Sequence, residues 1–175
     1  CSSDLALIGR INLPHEWPDW RDNFGHGTAV TGIAAAQGNN AQGMAGTAWN
    51  VKIMPIKIAE SGDTDVSYMV DGIYWAVEHG ADIINISFAG TQLTASETTA
   101  VAYAVAHGVT VVAAAGNYIA QVGYPAALPG VIAVGATSQA DKRATFSASG
   151  DALDLVAPGT EILSYTKGSS APVLW

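Results

Sequence analysis

The stretch that decides the fold is residues 109–115, VTVVAAA, which lies between Gly108 and the pair Gly116-Asn117. An uninterrupted run of apolar or β-branched residues bounded by glycines predicts a strand that is buried on both faces. Strands of that kind occur in parallel sheets whose two faces are covered by helices. Further strands are predicted at residues 81–87 (ADIINIS), 131–136 (VIAVGA), 153–156 (LDLV) and, with an irregularity at Pro55, 50–58 (NVKIMPIKI).

Helical patterns separate these strands. Thr94 and Glu97 form the pattern of a capping box for a helix that stops at Gly108. An earlier helix is predicted from an apolar stripe made of Val66, Met69, Val70, Ile73 and Val77. Gly80 is in position to end this helix. Strands that alternate with helices predict an α/β fold in three layers, with a mostly parallel sheet and helices on both faces.

Composition narrows the class of protein. The 175 residues are enough for one compact domain. Hydrophobic residues make up 49% of the chain and charged residues only 13%, a composition that excludes intrinsic disorder. The formal net charge of −8 argues against nucleic acid as a partner, because like charges repel phosphate backbones. No apolar run reaches the length of a membrane span, so we expect no membrane partner. The single cysteine, Cys1, excludes an internal disulfide and leaves the redox compartment open.

The first motif that can carry chemistry is Gly25-His26-Gly27-Thr28, directly ahead of an alanine-rich helical segment. A histidine at a helix start faces the positive end of the helix dipole, which favours the neutral imidazole that a general base needs. A histidine that merely caps a helix fits the same position. The motif alone therefore leaves both interpretations open.

Two further motifs lie where predicted strands end. Residues 85–90 (NISFAG) and residues 113–117 (AAAGN) each finish a buried strand. Ligands of parallel sheets bind beyond the carboxyl ends of the strands, and the Asn117 amide offers a donor for an oxygen that gains negative charge during acyl transfer. An ordinary strand exit and a turn asparagine explain the same residues, so these motifs are also ambiguous when taken singly.

Together, the three motifs resemble the subtilisin-like serine proteases in order and spacing. The resemblance continues through residues 124–126 (YPA), 129–135 (PGVIAVG), 143–147 (RATFS) and 156–159 (VAPG). It runs from about Asp4 to about Ser164, and a co-linear set of that length is more specific than any one motif. The chain is therefore identified as a member of this family, with a partial peptidase domain over residues 1–175.

The resemblance implies a serine-type endopeptidase that acts through an acyl-enzyme. It implies that His26 is the general base and that Asn117 donates to the oxyanion. The implied substrate-binding residues are Ser87, Phe88, Ala89 and Gly90, which would pair with an extended peptide, and Ala113, Ala114, Ala115 and Gly116, which would line the opposite side of the pocket.

Further expectations follow from the same resemblance. Many relatives have glycine at the position of Ala89, so its methyl group is expected to narrow the pocket for the residue before the cleaved bond. The Tyr124–Pro125 bond matches a position where the family uses a cis proline. Peptide or protein substrates, a pro-domain partner and secretion from the cell are implied as well.

A calcium site is the cofactor that the resemblance implies. Asp4 and the loop at residues 38–44 (GNNAQGM) match the elements that hold it in subtilisins. The implied ligands are the Asp4 carboxylate, the Asn40 side chain and the backbone carbonyls of Gly38, Gln42 and Met44. Oxygen ligands of this kind suit Ca²⁺, and we expect weak binding in this chain alone. A plain turn without metal explains the same loop.

Two elements of the family pattern are not found in the sequence. No strand ending in D-T-G or D-S-G precedes Asp4, and Asp22, although near His26, does not match the triad aspartate. Residues 168–172 (GSSAP) lie too near Gly159 and lack two residues of the nucleophile motif, so Ser170 is not expected to be the nucleophile. We therefore expect a chain that is truncated at both ends and inactive by itself.

Two other functions remain open from the residues. A non-catalytic relative that acts as an interaction domain would keep the fold without the full triad. A nucleotide-binding α/β domain would need G-x-G-x-x-G directly after a strand, and Gly25-His26-Gly27 does not have that spacing.

Overall fold

A computed structural model describes residues 6–7, 11–12, 21–59, 64–169 and 171–175. The predicted domain over residues 1–175 contains two compact units, Cys1–Tyr68 with Ile162–Trp175 and Met69–Glu161. In chain order the elements are β1 (Ala6–Leu7), β2 (Ile11–Asn12), α1 (His26–Ala35), β3 (Lys52–Ile53), β4 (Ile56–Lys57), α2 (Val66–Glu78), β5 (Ile83–Ile86), α3 (Ala95–Ala106), β6 (Thr110–Ala114), β7 (Val131–Thr137), β8 (Leu155–Pro158), β9 (Leu163–Ser164) and β10 (Val173–Leu174).

The first unit is built from short strand pairs and helix α1. Strands β1 and β3 pair in parallel, as do β2 and β4, whereas β9 and β10 are antiparallel. The strand predicted at residues 50–58 is divided into β3 and β4 on either side of Met54-Pro55, as expected from the proline.

Strand β9 lies directly against helix α1. The fully buried Ser164 hydroxyl donates to the Ala29 carbonyl at 2.6 Å. A Cβ on Gly32 would lie 2.9 Å from the Ser164 Oγ, so a glycine is needed for the strand to approach the helix this closely. This packing stabilises the helix that begins at His26.

The second unit contains the sheet that the sequence predicts. Strands β5, β6, β7 and β8 form one sheet in that order, and every neighbouring pair is parallel. In β6, Val111 and Ala113 are buried and Val112 and Ala114 are half-buried, as expected for a central strand. The predicted α/β class with a parallel sheet is confirmed.

Helices α2 and α3 end where the sequence predicts. Gly80 after α2 and Gly108 after α3 have φ values of 79° and 78°, the left-handed conformation in which helices commonly stop. Thr94 accepts the backbone N–H of Glu97 at 3.2 Å and caps α3. Within the described residues, none of the helices combines the length and apolar character that crossing a membrane requires.

One strand prediction is displaced. The strand expected at residues 153–156 lies at Leu155–Pro158 instead. The backbone N–H of Leu153 donates to the Gly150 carbonyl at 3.1 Å, so this residue closes a turn. Asp154 is held beside β7, because its carboxylate accepts the Ala133 N–H at 2.8 Å.

Candidate active site

His26 is the first residue of helix α1, and its side chain is exposed. Gly25 precedes it with φ 106°, a conformation that favours glycine. The Asp22 carboxylate accepts the backbone N–H groups of Gly25 at 2.6 Å and Thr28 at 2.7 Å. The helix-start position predicted for His26 is confirmed, and Asp22 acts as the cap that fixes this start.

The electrostatics of Asp22 fit this capping role. Partial burial raises the pKa of its carboxyl, but hydrogen bonds from the backbone of Gly25, Thr28 and Phe24 and from the Thr28 side chain more than offset that effect. The net result is a pKa below the ordinary value of 3.8. The group is therefore ionised at neutral pH, with its negative charge at the positive end of the helix dipole.

In the second unit, the predicted pocket residues 113–116, at the end of β6 and directly after it, fall into two groups. The side chains of Ala113 and Ala115 are each only 1% exposed and belong to the sheet core. Ala114 and Gly116 are half-exposed. Of these four residues, Ala114 and Gly116 therefore have the larger accessible surface, and the role of all four in substrate binding stays a prediction.

Asn117 lies directly after Gly116, whose φ of 106° turns the chain at the end of β6. The turn is held by the segment at residues 143–148, because the Tyr118 N–H donates to the Phe146 carbonyl at 2.7 Å and the Ala148 N–H to the Gly116 carbonyl at 2.9 Å. The Asn117 side chain is exposed, and its amide forms no hydrogen bond with the described residues. A fixed backbone thus carries an amide that is available as a donor.

The predicted substrate strand follows β5. Because β5 and β6 are parallel neighbours, residues 87–90 leave the sheet at the same edge as Asn117. The Gly90 N–H donates to the Tyr124 carbonyl at 2.8 Å, and the Tyr124 N–H donates back at 2.9 Å. Within the described part of the chain, the backbone groups of Phe88 and Ala89 form no backbone–backbone hydrogen bond. The Tyr124–Pro125 bond is cis, as predicted.

Two glycines bring these segments together. A Cβ on Gly116 would lie 3.3 Å from the Ala89 Cβ, and one on Gly123 would lie 3.4 Å from the same atom. The Gly123 N–H also donates to the Ala115 carbonyl at 2.9 Å. The end of β6 and the segment after β5 therefore border the small space that the missing side chains of Gly116 and Gly123 leave. Ile119 also lies at this space, a residue that the sequence motifs do not include.

Sequence reasoning missed Ile119 and Gly123 because both lie between two recognised motifs. The segment at residues 118–123 separates AAAGN from the Tyr124-Pro125 pair and has no pattern of its own. The only usable signal was its shortness, which forces the residues after Asn117 to turn back at once towards Tyr124.

The remaining predicted site residues are distributed as follows. His26 belongs to the first unit, whereas Ser87, Ala114 and Asn117 belong to the second. Asp4 and Ser170 lie outside the described residues. The catalytic roles of His26 and Asn117 stay predictions.

The loop predicted to hold calcium is tightly folded. Asn39, Ala41 and Gly43 all have positive φ, at 58°, 56° and 50°. The Asn40 Oδ1 accepts the Gln42 N–H at 3.0 Å, and the Tyr165 hydroxyl accepts the Met44 N–H at 3.1 Å. The loop surrounds an open cavity of about 230 Å³, lined by residues 37–45.

The donor set of this loop can be compared with the needs of Ca²⁺. Asn40 and the backbone carbonyls offer only neutral oxygens, and the Asn40 Oδ1 keeps one lone pair beyond its bond to Gln42. No group of three His, Cys, Asp or Glu side chains that could hold a metal occurs among the described residues. The oxygens suit a hard cation, and the carboxylate that such a site needs would come from Asp4.

The chain is an α/β protein with an exposed histidine at a helix start in its first unit and an exposed amide at a strand end in its second unit. The profile of the Subtilase family matches residues 9–173, and the chain belongs to this family of serine peptidases.

Individual relatives support the same assignment. The subtilisin of Bacillus pumilus is 39% identical over 174 residues, which cover 95% of this chain and 63% of that protein. Subtilisin E of Bacillus subtilis (strain 168) is 38% identical over 174 residues, which cover 95% of this chain and 45% of that protein. Alkaline elastase YaB of Bacillus sp. (strain YaB) is 41% identical over 169 residues, which cover 95% of this chain and 44% of that protein. The chain thus spans less than two thirds of the length of these relatives.

Proposed function

We propose that these 175 residues are part of a secreted serine endopeptidase that cleaves protein or peptide substrates through an acyl-enzyme. The observation that carries the proposal is the exposed Asn117 amide at the edge where residues 87–90 leave the sheet. Beside this amide donor, Phe88 and Ala89 offer a stretch of chain whose backbone groups form no backbone–backbone hydrogen bond within the described residues. The stretch holds the substrate as an added strand, and the amide stabilises the oxyanion.

His26 acts as the general base in this mechanism. Its imidazole takes the proton of the attacking serine hydroxyl as the bond to the substrate carbonyl carbon forms, and then gives it to the leaving amine. Water repeats the sequence on the acyl-enzyme and releases the acid. The capped start of α1 supports this role, because the helix dipole and the backbone bonds to Asp22 fix the position of residue 26.

Substrate pairing is proposed for Ser87, Phe88 and Ala89. Gly90 contributes less to it, because its N–H is already donated to Tyr124. At the end of β6, Ala114 and Gly116 present their accessible surface to the substrate, and Ala113 and Ala115, whose side chains are buried, contribute through their backbone.

We propose that the triad serine and aspartate come from residues outside this chain. Ser169 does not fit the nucleophile, because its hydroxyl donates to the Ala171 carbonyl at 2.8 Å and accepts the Ala171 N–H at 3.1 Å. The chain by itself would then bind substrate backbone without cleaving it.

Calcium, secretion and a pro-domain complete the proposal. The proposed calcium ligands are the Asp4 carboxylate, the Asn40 side chain and the carbonyls of Gly38, Gln42 and Met44. The ion would add positive charge to the loop and cross-link it, which stabilises the domain. Secretion and a pro-domain partner are proposed on the resemblance to subtilisins.

A fluorophosphonate probe tests the catalytic proposal. We expect the protein encoded by the complete reading frame to be labelled on a serine, and the 175-residue chain not to be labelled. His26→Ala should abolish labelling, whereas the control His107→Ala should retain it, since the His107 imidazole bonds the Tyr103 carbonyl at a helix end.

Two outcomes of this labelling experiment would contradict the catalytic proposal. Labelling of Ser170 in the short chain would overturn the assignment of the nucleophile. A complete protein that is folded but neither labelled nor active would instead be a non-catalytic relative that acts as an interaction domain. Asn117→Ala should lower kcat by about 100-fold with little change in KM, an effect established for this family rather than one derived from the geometry here.

A further inference from the structure

We infer that Ile119 is a specificity-determining residue, which fills the pocket for the substrate side chain before the cleaved bond and selects small residues there. The inference rests on the proposed function, because it assumes that the space between Ala89 and the end of β6 receives that side chain.

The position of the Ile119 side chain is the first observation. A Cβ built on Gly116 would lie 2.5 Å from the Ile119 Cδ1, and one built on Gly123 would lie 2.9 Å from the same atom. The terminal methyl group therefore lies against the α-carbons of both glycines. Ile119 is half-buried, whereas the preceding Tyr118 is 86% exposed. The isoleucine thus points inward, between two outward-facing neighbours.

Ala89 contacts the same space from the other side. Its methyl group would lie 3.3 Å from a Cβ on Gly116 and 3.4 Å from one on Gly123. The two glycines have no side chains, and the room that they leave is occupied by Ile119 and bordered by Ala89. A substrate side chain that enters here meets these methyl groups, so an aromatic ring would have to displace Ile119, whereas a small side chain needs less room.

The backbone explains why a side chain at Gly116 or Gly123 could not narrow the pocket in place of Ile119. Gly116 has φ 106°, and a Cβ on Gly123 would lie only 2.7 Å from the Gly90 carbonyl oxygen. Both positions need glycine for the turn and for the close approach of residue 90. The size of the pocket is therefore set by Ile119, whose side chain can be shortened without adding a Cβ to either glycine.

The test compares two peptide substrates that differ only in alanine or phenylalanine before the cleaved bond, with the complete protein as the enzyme. We expect the wild type to prefer alanine. Ile119→Ala should raise the ratio of kcat/KM for phenylalanine over alanine by about 10-fold or more, since apolar pockets discriminate by such factors. Ile119→Val removes only the Cδ1 methyl group and should raise this ratio by a smaller factor. The valine variant keeps the test informative if the alanine variant does not fold.

Tyr118→Ala is the matched control, because this side chain is the exposed neighbour of Ile119 and should leave the ratio unchanged. An unchanged ratio in both Ile119 variants that still cleave alanine substrates would overturn the inference and leave the proposed function intact. A wild-type protein that cleaves neither substrate and is not labelled by a fluorophosphonate would overturn the proposed function and this inference with it.

Discussion

The Asp22 carboxylate accepts the Thr28 backbone N–H at 2.7 Å and so fixes the start of the helix on which His26 lies. Replacing it by alanine removes a helix cap that also bonds Gly25 and Phe24. We expect Asp22→Ala to lower the free energy of unfolding by about 1–2 kcal/mol at pH 7. Denaturant unfolding of the complete protein measures this, with the exposed Asp71→Asn as control.

The pH dependence of that cap has a definite sign. Because the pKa of Asp22 is lowered in the folded state, its ionised carboxylate adds to the free energy of unfolding above the ordinary pKa of 3.8. This added stability is lost as the pH falls through the lowered pKa. The stability difference between wild type and Asp22→Asn should therefore shrink in acid. A difference that stays constant from pH 7 to well below 3.8 would show that the carboxylate charge is not involved.

Glu97 gives the opposite prediction. It is only 2% exposed, and within the described residues its Oε2 has no hydrogen-bond partner. Burial raises its pKa above the ordinary 4.5, although the Thr94 interaction lowers it somewhat. Stability should therefore fall as the pH rises from 4.5 through the raised pKa, because the unfolded state releases the proton first.

The variant Glu97→Leu removes this charge from the core. We expect it to raise the unfolding free energy by about 1 kcal/mol at pH 8, the usual scale for an unsatisfied buried polar group. The gain should be smaller at pH 4.5, because the raised pKa of Glu97 reduces the charged fraction of the carboxyl in the fold at lower pH. A loss of stability at pH 8 would mean that Glu97 has a partner beyond the described residues.

Ala89 provides an independent test of the pocket. Its methyl group borders the space beside Gly116 and Gly123, so Ala89→Gly should increase cleavage after phenylalanine relative to alanine. We expect a change of several-fold, smaller than that for Ile119→Ala, because only one methyl group is removed. Equal ratios before and after the substitution would remove Ala89 from the specificity determinants.

Calcium binding is tested by thermal unfolding of the complete protein with the metal and with a chelator. We expect Ca²⁺ to raise the Tm, since a ligand that binds only the folded state stabilises it. Asn40→Ala should reduce that rise, whereas Gln37→Ala, at the border of the same cavity, should not. An unchanged Tm in the wild type would show that no such site exists.

The isolated chain should be prone to aggregation. Ile83 is 65% exposed and Leu155 is 57% exposed, and they lie in the two edge strands of the four-stranded sheet. Unprotected apolar edge strands pair with other chains. We expect light scattering from the 175-residue chain to fall when both residues are replaced by threonine. A wild-type chain that unfolds cooperatively as a monomer would contradict this prediction.

Several parts of the fold could be predicted because local chemistry determines them. Continuous apolar runs identified strands β5, β6 and β7, and the glycines at 80 and 108 marked the helix ends, since both adopt positive φ. Pro55 marked the break between β3 and β4, because proline cannot donate to a strand ladder. These features depend on residues close together in sequence.

The rest depended on contacts between distant residues. The Gly150 turn that displaces β8 and the buried position of Glu97 follow from tertiary packing, which a capping-box pattern does not reveal. Ala113, Ala114 and Ala115 were predicted together as pocket residues, and the structure adds that strand alternation buries the side chains of Ala113 and Ala115 in the core. Ile119 could be found only after the structure placed it against two glycines.

The most direct measurement is an experimental structure of the complete protein with a fluorophosphonate bound to its active serine. The account predicts that the Asn117 amide nitrogen lies about 3 Å from the phosphonyl oxygen and that a His26 ring nitrogen lies within hydrogen-bond distance of the modified serine oxygen. A structure in which His26 and Asn117 face different parts of the surface, with the probe next to neither, would contradict the account.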